Sequence, residues 1–325
     1  MTGFRRYLLR RLVLFFFVIV AVLTILFAIL RILPGDPTSI FVDSNFSEEM
    51  VRQQRVLWGL DDPWWVQYLR YMRNMLTFDF GRSFFQNQPV SEIILEKLGN
   101  TAAMIIPSVI ISVILGATLG SWLGWKRGTK REALTVFLLL FARSTPSFFV
   151  GIVVLMIFSY WLGWFPPGGM VSIGGGGDSF WSTVFSLDFL HHLILPMLVL
   201  MTREVTSPAL LLRSTMLEVR GSDFLEILRA KGLPEKRIMV HATRNALLPL
   251  VTDIAVMMGF IFQGQVLLEI IFAWPGIGRE LVTALGDLDY PIVQAAFYVM
   301  ALTILTFNLV ADLLYGVIDP RVVYD

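Results

Sequence analysis

The sequence predicts an all-α, polytopic membrane protein with about six transmembrane helices. Of its 325 residues, 56% are hydrophobic and 16% are charged, whereas roughly a quarter of the residues in soluble domains are charged. Several apolar stretches reach the ~20 residues that a helix needs to cross a bilayer. Lys and Arg fall in short blocks beside those stretches. The expected solvent is therefore lipid.

The apolar stretches and the basic blocks together predict the spans and their orientation. Lys and Arg are enriched in cytoplasmic loops, and here they cluster before the first span, between the second and third, and between the fourth and fifth. Segment 163–190 has no Lys or Arg, and segment 273–290 has only Arg279. We therefore expect a multi-pass protein of the cell (inner) membrane with both termini cytoplasmic. The predicted spans are 12–30, 103–125, 133–162, 193–212, 249–272 and 292–317.

These spans divide the chain into four parts. Residues 1–31 hold the cytoplasmic N-terminal end and the first helix, and residues 32–102 form a long extracytoplasmic segment. Residues 103–318 form the core with the other helices, including a cytoplasmic loop at 213–248, and residues 319–325 form the C-terminus. Aromatic and charged residues alternate in the outer segment, which predicts short amphipathic helices over the outer mouth. A surface cap without a partner is the alternative.

The composition also excludes several functions. The formal net charge is only +1, so no overall basic field favours nucleic acid, and the expected surroundings are membrane lipid. Cysteine is absent, which rules out a thiolate metal site and a cysteine nucleophile. The H-E-x-x-H and G-x-S-x-G patterns are missing too, and the adjacent His191 and His192 lack metal-ligand spacing. We predict no catalytic residue and no metal site.

The cytoplasmic loop contains a helix with its own start and stop. Asp223 is expected to cap the first turn, and Glu226, three residues later, completes a capping box. Gly232 fits the left-handed position after a helix end, and Pro234 prevents continuation. The predicted helix has about two turns and a length of roughly 12 Å.

This short helix is too small to be stable alone in water. Its apolar residues Phe224, Ile227 and Leu228 share one face by their spacing. A groove on a partner could receive that face, with Arg229 and Lys231 at the rim. Alternatively, the face folds back on the protein's own helices, and the residues alone leave both possibilities open.

The loop and its continuation resemble a known family. Residues 228–233 read LRAKGL and residues 241–249 read HATRNALLP, similar to the "EAA" loop of ABC-importer permeases in the dipeptide and oligopeptide branch. Further family-like motifs are LPGDP at 33–37, DFGRS at 79–83, FAWPGIG at 272–278 and DPR at 319–321. The residues to which the resemblance assigns coupling to an ATPase are Asp223, Phe224, Glu226, Ile227, Leu228, Arg229, Ala230, Lys231, Gly232, Arg244, Asn245 and Pro249.

The resemblance implies the type I ABC-importer permease fold and half of a translocation pathway for di- or oligopeptides. The implied partners are a second homologous permease subunit, two cytoplasmic ATPase subunits and an extracytoplasmic solute-binding protein. The chain lacks the phosphate-loop pattern G-x-x-x-x-G-K-[ST], so we expect no enzyme and no cofactor in this chain, with ATP and Mg on the partner subunits. The loop helix would transmit ATPase closure, with Gly232 as its hinge.

Two other functions remain as alternatives. The same kind of permease could move oligosaccharides, a nickel chelate or glutathione. A stand-alone secondary carrier or channel is an alternative of another class, but the spans show no evident inverted repeat.

Polar side chains inside the spans are the candidate pathway residues. Such groups are costly in lipid and usually face the bundle interior or a wet cavity. Gln263, Gln265 and Glu269, close to the outer half of the fifth span, are candidates for a pathway or gate. Pairing between helices, or a position near a span end, is the alternative for all of these polar residues. The remaining polar residues in the spans are Arg143, Arg203, Glu204, Asp253, Asn308 and Asp312.

Overall fold

The computed structural model describes residues 2–32, 61–261 and 265–318. Regular structure in these ranges is helical, apart from one isolated bridge between Arg82 and Pro89. The helices are α1 (Thr2–Ile32), α2 (Trp64–Leu76), α3 (Val90–Trp125), α4 (Lys130–Ser144), α5 (Ser147–Val154), a π-helix (Leu155–Trp161), α6 (Phe180–Val184), α7 (Leu187–Glu204), α8 (Thr206–Arg220), α9 (Asp223–Ala230), α10 (Glu235–Ala246), α11 (Leu248–Ile261), α12 (Val266–Ile271), α13 (Ile277–Gly286) and α14 (Tyr290–Ile318).

Several helices are long and apolar enough to cross a membrane, so the prediction of an all-α, multi-span protein is confirmed. Within the described ranges, four segments have the length and composition of a membrane span. The bent pair, formed by α4 and by α5 with the π-helix, gives a fifth if it is counted as one span. Residues Leu248–Gly259 form a shorter apolar helix. A total of about six spans stays a prediction. The four segments are Arg6–Ile29, Val90–Trp125, Leu187–Arg220 and Tyr290–Leu314.

The third and fourth spans differ from their predicted form. The stretch 133–162 is not one straight helix, because α4 and α5 meet at an angle of 96°. Pro146 has no N–H to continue α4 and disfavours a helical conformation at Thr145, which is extended with φ −78° and ψ 129°. The fourth span is longer than 193–212, because α7 continues into α8 through Val205, whose φ of −65° and ψ of −25° are helical.

One compact unit comprises the described residues up to 99 together with residues 276–305. Its core joins α1, α2, α13 and the first part of α14, with Leu23 and Ala295 fully buried. Asp289, 1% exposed, accepts hydrogen bonds from the Ser83 hydroxyl at 2.5 Å and the Phe84 N–H at 3.0 Å. The helix α2 confirms helical structure within the predicted outer segment.

The second compact unit contains residues 100–275. Here α8 packs against α4, α7, α10 and α11. Gly116, Gly120 and Gly124 form a stripe on α3 that lies directly on the backbone of α8. Small residues at this spacing allow two helices to approach closely in a membrane. The unit therefore brings the middle spans and the 213–248 segment into one packed body.

Candidate functional site

The helix α9 forms where the sequence predicts it, but it starts differently. Its eight residues run from Asp223 to Ala230, and Ser222 occupies the N-cap position without a side-chain cap hydrogen bond. The prediction that Asp223 caps the helix in a capping box with Glu226 is therefore wrong. Both acidic residues lie in the first turn, where a negative charge favours the positive end of the helix dipole.

The end of α9 agrees with the prediction for Gly232. Its φ is +76°, the left-handed region that glycine enters without steric cost. The Gly232 N–H donates to the Arg229 carbonyl at 2.9 Å, and the Leu233 N–H donates to the Leu228 carbonyl at 3.3 Å. This pair of bonds is the Schellman motif. It ends the helix at a fixed place and turns the chain toward α10.

The helix has two apolar faces rather than one. Leu225 is fully buried and Leu228 is partly buried, and both pack on a cluster shared by α8 and α10. Leu228, expected to share one face with Phe224 and Ile227, instead packs with Leu225 on this cluster, and the sequence analysis did not single out Leu225. The i, i+3 spacing of the two leucines was a signal for this second face. The other buried residues of the cluster are Leu212, Met216, Ile238, Ala242 and Ala246.

The opposite face of α9 is open. Phe224 is 39% exposed and Ile227 is 55% exposed, one helical turn apart. Lys231 is exposed nearby, and the Arg229 guanidinium Nε donates to the Glu235 carboxylate at 3.3 Å. One face of α9 therefore folds back on the protein's own helices, and whether a partner receives the open face stays a prediction.

The remaining residues assigned by resemblance continue along the same segment. Arg244 and Asn245 are exposed on α10, and Pro249 is exposed at the start of α11. The helix α9 packs against α10, and α10 packs against α11. The Thr215 hydroxyl of α8 donates to the Ala246 carbonyl at 3.1 Å. The segment is thus a set of packed helices rather than an irregular loop.

An ion pair between a buried carboxylate and a partly buried arginine, which the sequence did not single out, fixes the same region. The Arg213 guanidinium of α8 donates through Nε to the Glu132 carboxylate of α4 at 2.9 Å, and through a second nitrogen to the same oxygen. Glu132 is 5% exposed and also accepts the Gly128 N–H at 2.6 Å. Breaking such a pair leaves a buried charge unpaired. The pair therefore locks α4 to α8.

The predicted pathway residues fall in different surroundings. Glu269 is 1% exposed and accepts the Thr101 hydroxyl at 2.6 Å. Gln265 is 6% exposed, and its Oε1 has no donor among the described residues. Gln263 lies outside the described residues. Their role in a pathway stays a prediction.

Glu269 belongs to a buried polar group near the end of α12. The Trp274 indole N–H donates to the Asn100 carbonyl at 2.8 Å, and the Asn100 amide donates to the Pro275 carbonyl at 3.0 Å. The Trp274 backbone N–H donates to the Glu269 carbonyl at 2.8 Å. These bonds hold the FAWPG turn against the start of the membrane part of α3.

Apolar helices of spanning length define an integral membrane protein, and α9 in addition presents an open apolar face. Comparison with known proteins then gives the family. The family described as "Binding-protein-dependent transport system inner membrane component" matches residues 116–324. The N-terminal part of such membrane components matches residues 4–105. The chain belongs to this family, as its motifs predicted.

Curated relatives extend over nearly the whole chain. The oligopeptide transport system permease protein AppB of Bacillus subtilis (strain 168) is 34% identical over 321 residues, which is 98% of this chain and 99% of the relative. The dipeptide transport system permease protein DppB of Escherichia coli (strain K12) is 36% identical over 333 residues, covering 98% of each chain. The similarity therefore reaches both compact units.

Proposed function

We propose that this chain is a permease subunit of an ATP-driven importer and forms half of the translocation pathway for di- or oligopeptides. The family match supports the role of a membrane component. The names of the curated relatives, oligopeptide and dipeptide permeases, support peptides as the substrate class.

The proposed complex contains a second homologous permease subunit, two cytoplasmic ATPase subunits and an extracytoplasmic solute-binding protein. ATP and Mg bind to the ATPase subunits, and this chain holds no cofactor of its own. Both termini lie in the cytoplasm because the basic blocks mark the loops on that side. The segment 213–248 then faces the ATPases.

The observation that carries this proposal is the two-faced helix α9. Its inner face is fixed by Leu225 and Leu228, and burying a leucine stabilises by about 1.5–3 kcal/mol. Its outer face presents Phe224 and Ile227 to the surroundings. A helix held rigidly on one side and open on the other can enter a groove on a partner and move with it. This geometry couples a motion of an ATPase subunit to α8 and α10.

The test changes the outer face without disturbing the inner one. The double variant Phe224→Asp, Ile227→Asp places two charges where apolar anchors should be buried by the partner. We expect the tagged chain to retain at least about tenfold less ATPase subunit on purification, and to lose ATP-driven peptide uptake, since interface anchors contribute about 2 kcal/mol or more each.

The control is Ile173→Asp, which places one aspartate at a fully exposed isoleucine in the loop before α6. This control should retain the ATPase subunits. If the double variant bound the ATPases and transported peptide as well as the unchanged chain, α9 would not be the coupling element.

A further inference from the structure

Charged residues of three helices meet halfway along their spans. Arg143 lies in the last turn of α4, at the bend before α5. Arg203 and Glu204 end α7, where it joins α8. Asp253 lies in the middle of α11. Each position is near the centre of its apolar segment, where a charge is expensive.

Contacts between the helices fix these positions relative to one another. The helix α4 packs against α7 and α8, and α8 packs against α11. The Thr206 hydroxyl at the start of α8 donates to the Leu139 carbonyl, one turn before Arg143, at 3.1 Å. The next residue, Ser207, donates from its hydroxyl to the Asp253 carboxylate at 3.3 Å. Arg143 on α4 and Asp253 on α11 therefore lie at about the same height along the packed helices.

The charges in this group are only loosely paired. The Arg203 Nε lies 3.8 Å from a carboxylate oxygen of its neighbour Glu204. Arg143 interacts electrostatically with both Glu204 and Asp253, but makes no ion pair within the described ranges. The Arg203 side chain is 60% exposed and the Glu204 side chain is 17% exposed. A guanidinium has several N–H donors. The arginines of this group therefore keep N–H donors, and the carboxylates keep acceptor oxygens, that a ligand can use.

The backbone at this level is irregular as well. Pro208 has no N–H to donate to the Glu204 carbonyl, and α4 and α5 are separated by a sharp bend. Irregular backbone at membrane depth is tolerated where it is buried in protein or lines a water-filled cavity. Interrupted helices that carry polar groups near the midplane are a recurring design of substrate sites in transporters. Exposed charges at such a site face water or solute, not lipid.

We propose that Arg143, Arg203, Glu204 and Asp253 form a binding subsite for the charged ends of a peptide in transit. The two guanidinium groups bind the C-terminal carboxylate, and the two carboxylates bind the N-terminal ammonium. Arginine suits the first task because its planar fork matches a carboxylate. Ser207 orients Asp253. This inference rests on the proposed function, since it assigns residues of this chain to the transport of peptides.

The test uses the complete transporter in proteoliposomes with its binding protein, ATPases and second permease. Uptake of trialanine is compared with uptake of its C-terminal amide and its N-acetyl derivative. We expect Arg203→Gln to reduce the preference for trialanine over the amide about tenfold, since a hydrogen bond to a charged group is lost. Asp253→Asn should instead reduce the preference for trialanine over its N-acetyl derivative. This substitution removes the charge and leaves the side-chain volume nearly unchanged.

Two further variants separate charge from shape and position. Arg203→Lys keeps the charge and should restore most of the preference over the amide. Arg131→Gln removes an exposed arginine at the other end of α4 and should leave both preferences unchanged. If Arg203→Gln does not assemble, Asp253→Asn carries the test alone.

The outcomes distinguish the two proposals. If the unchanged transporter takes up none of the three peptides, the proposed function fails and the subsite fails with it. If it takes up trialanine and the variants lower uptake of all three peptides equally, the four residues are a structural ion cluster, and only the subsite is overturned. Unchanged preferences in both variants overturn it as well.

Discussion

Two glycines in the segment 213–248 have opposite conformational requirements. Gly232 has φ +76°, whereas Gly221 at the end of α8 has φ −86°. A left-handed conformation costs a residue with a Cβ about 1–2 kcal/mol. Neither position is crowded, since an added Cβ at Gly232 would meet nothing within 4 Å and at Gly221 only the Glu218 carbonyl at 3.6 Å. Backbone conformation alone therefore separates them.

Replacing Gly232 should uncouple transport from ATP hydrolysis. Gly232→Ala strains the turn that ends α9, so the helix end should fray and transmit motion less well. We expect fewer peptides transported per ATP hydrolysed, measured by parallel uptake and phosphate release in reconstituted complexes. Gly221→Ala is the control and should behave like the unchanged chain, because its φ suits any residue. Equal coupling in both variants would remove the role assigned to Gly232.

At the scale of the element, the contact between α3 and α8 depends on a stripe of glycines. A Cβ at Gly116 would lie 2.8 Å from the Pro208 Cβ, and a Cβ at Gly120 would lie 2.9 Å from the Leu212 Cβ. Both distances are shorter than real Cβ contacts. In lipid, where no hydrophobic effect drives helices together, close backbone approach supplies much of the association. The glycine stripe therefore lets α3 hold α8 in place, and α8 supplies part of the cluster on which α9 packs.

A large residue in this stripe should separate the two helices. Gly120→Leu forces a shift of α8, and overpacking of this kind costs roughly 1–3 kcal/mol or more. We expect a lower melting temperature in detergent and weaker retention of partner subunits. Thr118→Leu places the same side chain on the exposed side of α3 and should have little effect. A melting temperature for Gly120→Leu equal to that of the control would contradict the packing described here.

The helix α9 also shows why a short helix needs both faces. Its eight residues are below the length at which a helix is stable alone. Burial of Leu225 and Leu228 supplies the missing stabilisation from within the chain. A contact through Phe224 and Ile227 therefore adds to a preformed helix, and the partner need not fold it.

At the scale of the whole molecule, the distribution of basic residues predicts the orientation in the membrane. The sequence contains no cysteine, so single cysteines can report which side of the membrane a loop occupies. Ile173 lies in the loop without basic residues and Lys236 in the loop rich in them, and both are exposed.

A membrane-impermeant maleimide applied to right-side-out vesicles should modify the Ile173→Cys variant at once. The Lys236→Cys variant should react only after permeabilisation, because the positive charges keep its loop inside. The unchanged chain, which has no thiol, gives the background. Reaction of Lys236→Cys in sealed vesicles would place the segment 213–248 outside and contradict ATPase coupling through α9.

Much of the site could be predicted because local chemistry dictates it. The position of α9 follows from apolar spacing between a turn and Pro234, and the left-handed turn at Gly232 follows from the conformational freedom of glycine. The helix start was wrong because Asp and Ser are comparable N-cap residues, and the choice between neighbours depends on how the chain leaves α8. The orientation of Leu225 and Leu228 depends on where α8 and α10 lie, which no local pattern records.

The sequence by itself determined the solvent, the helical class, the family and the place of the helix α9. Composition and the basic blocks depend on the identity of single residues, and each family motif lies within a short stretch of the chain. Only the tertiary structure decided which face of α9 is open, and that Arg143, Arg203, Glu204 and Asp253 come together. These features join residues far apart in the chain, and packing between helices, rather than any local preference, brings such residues into contact.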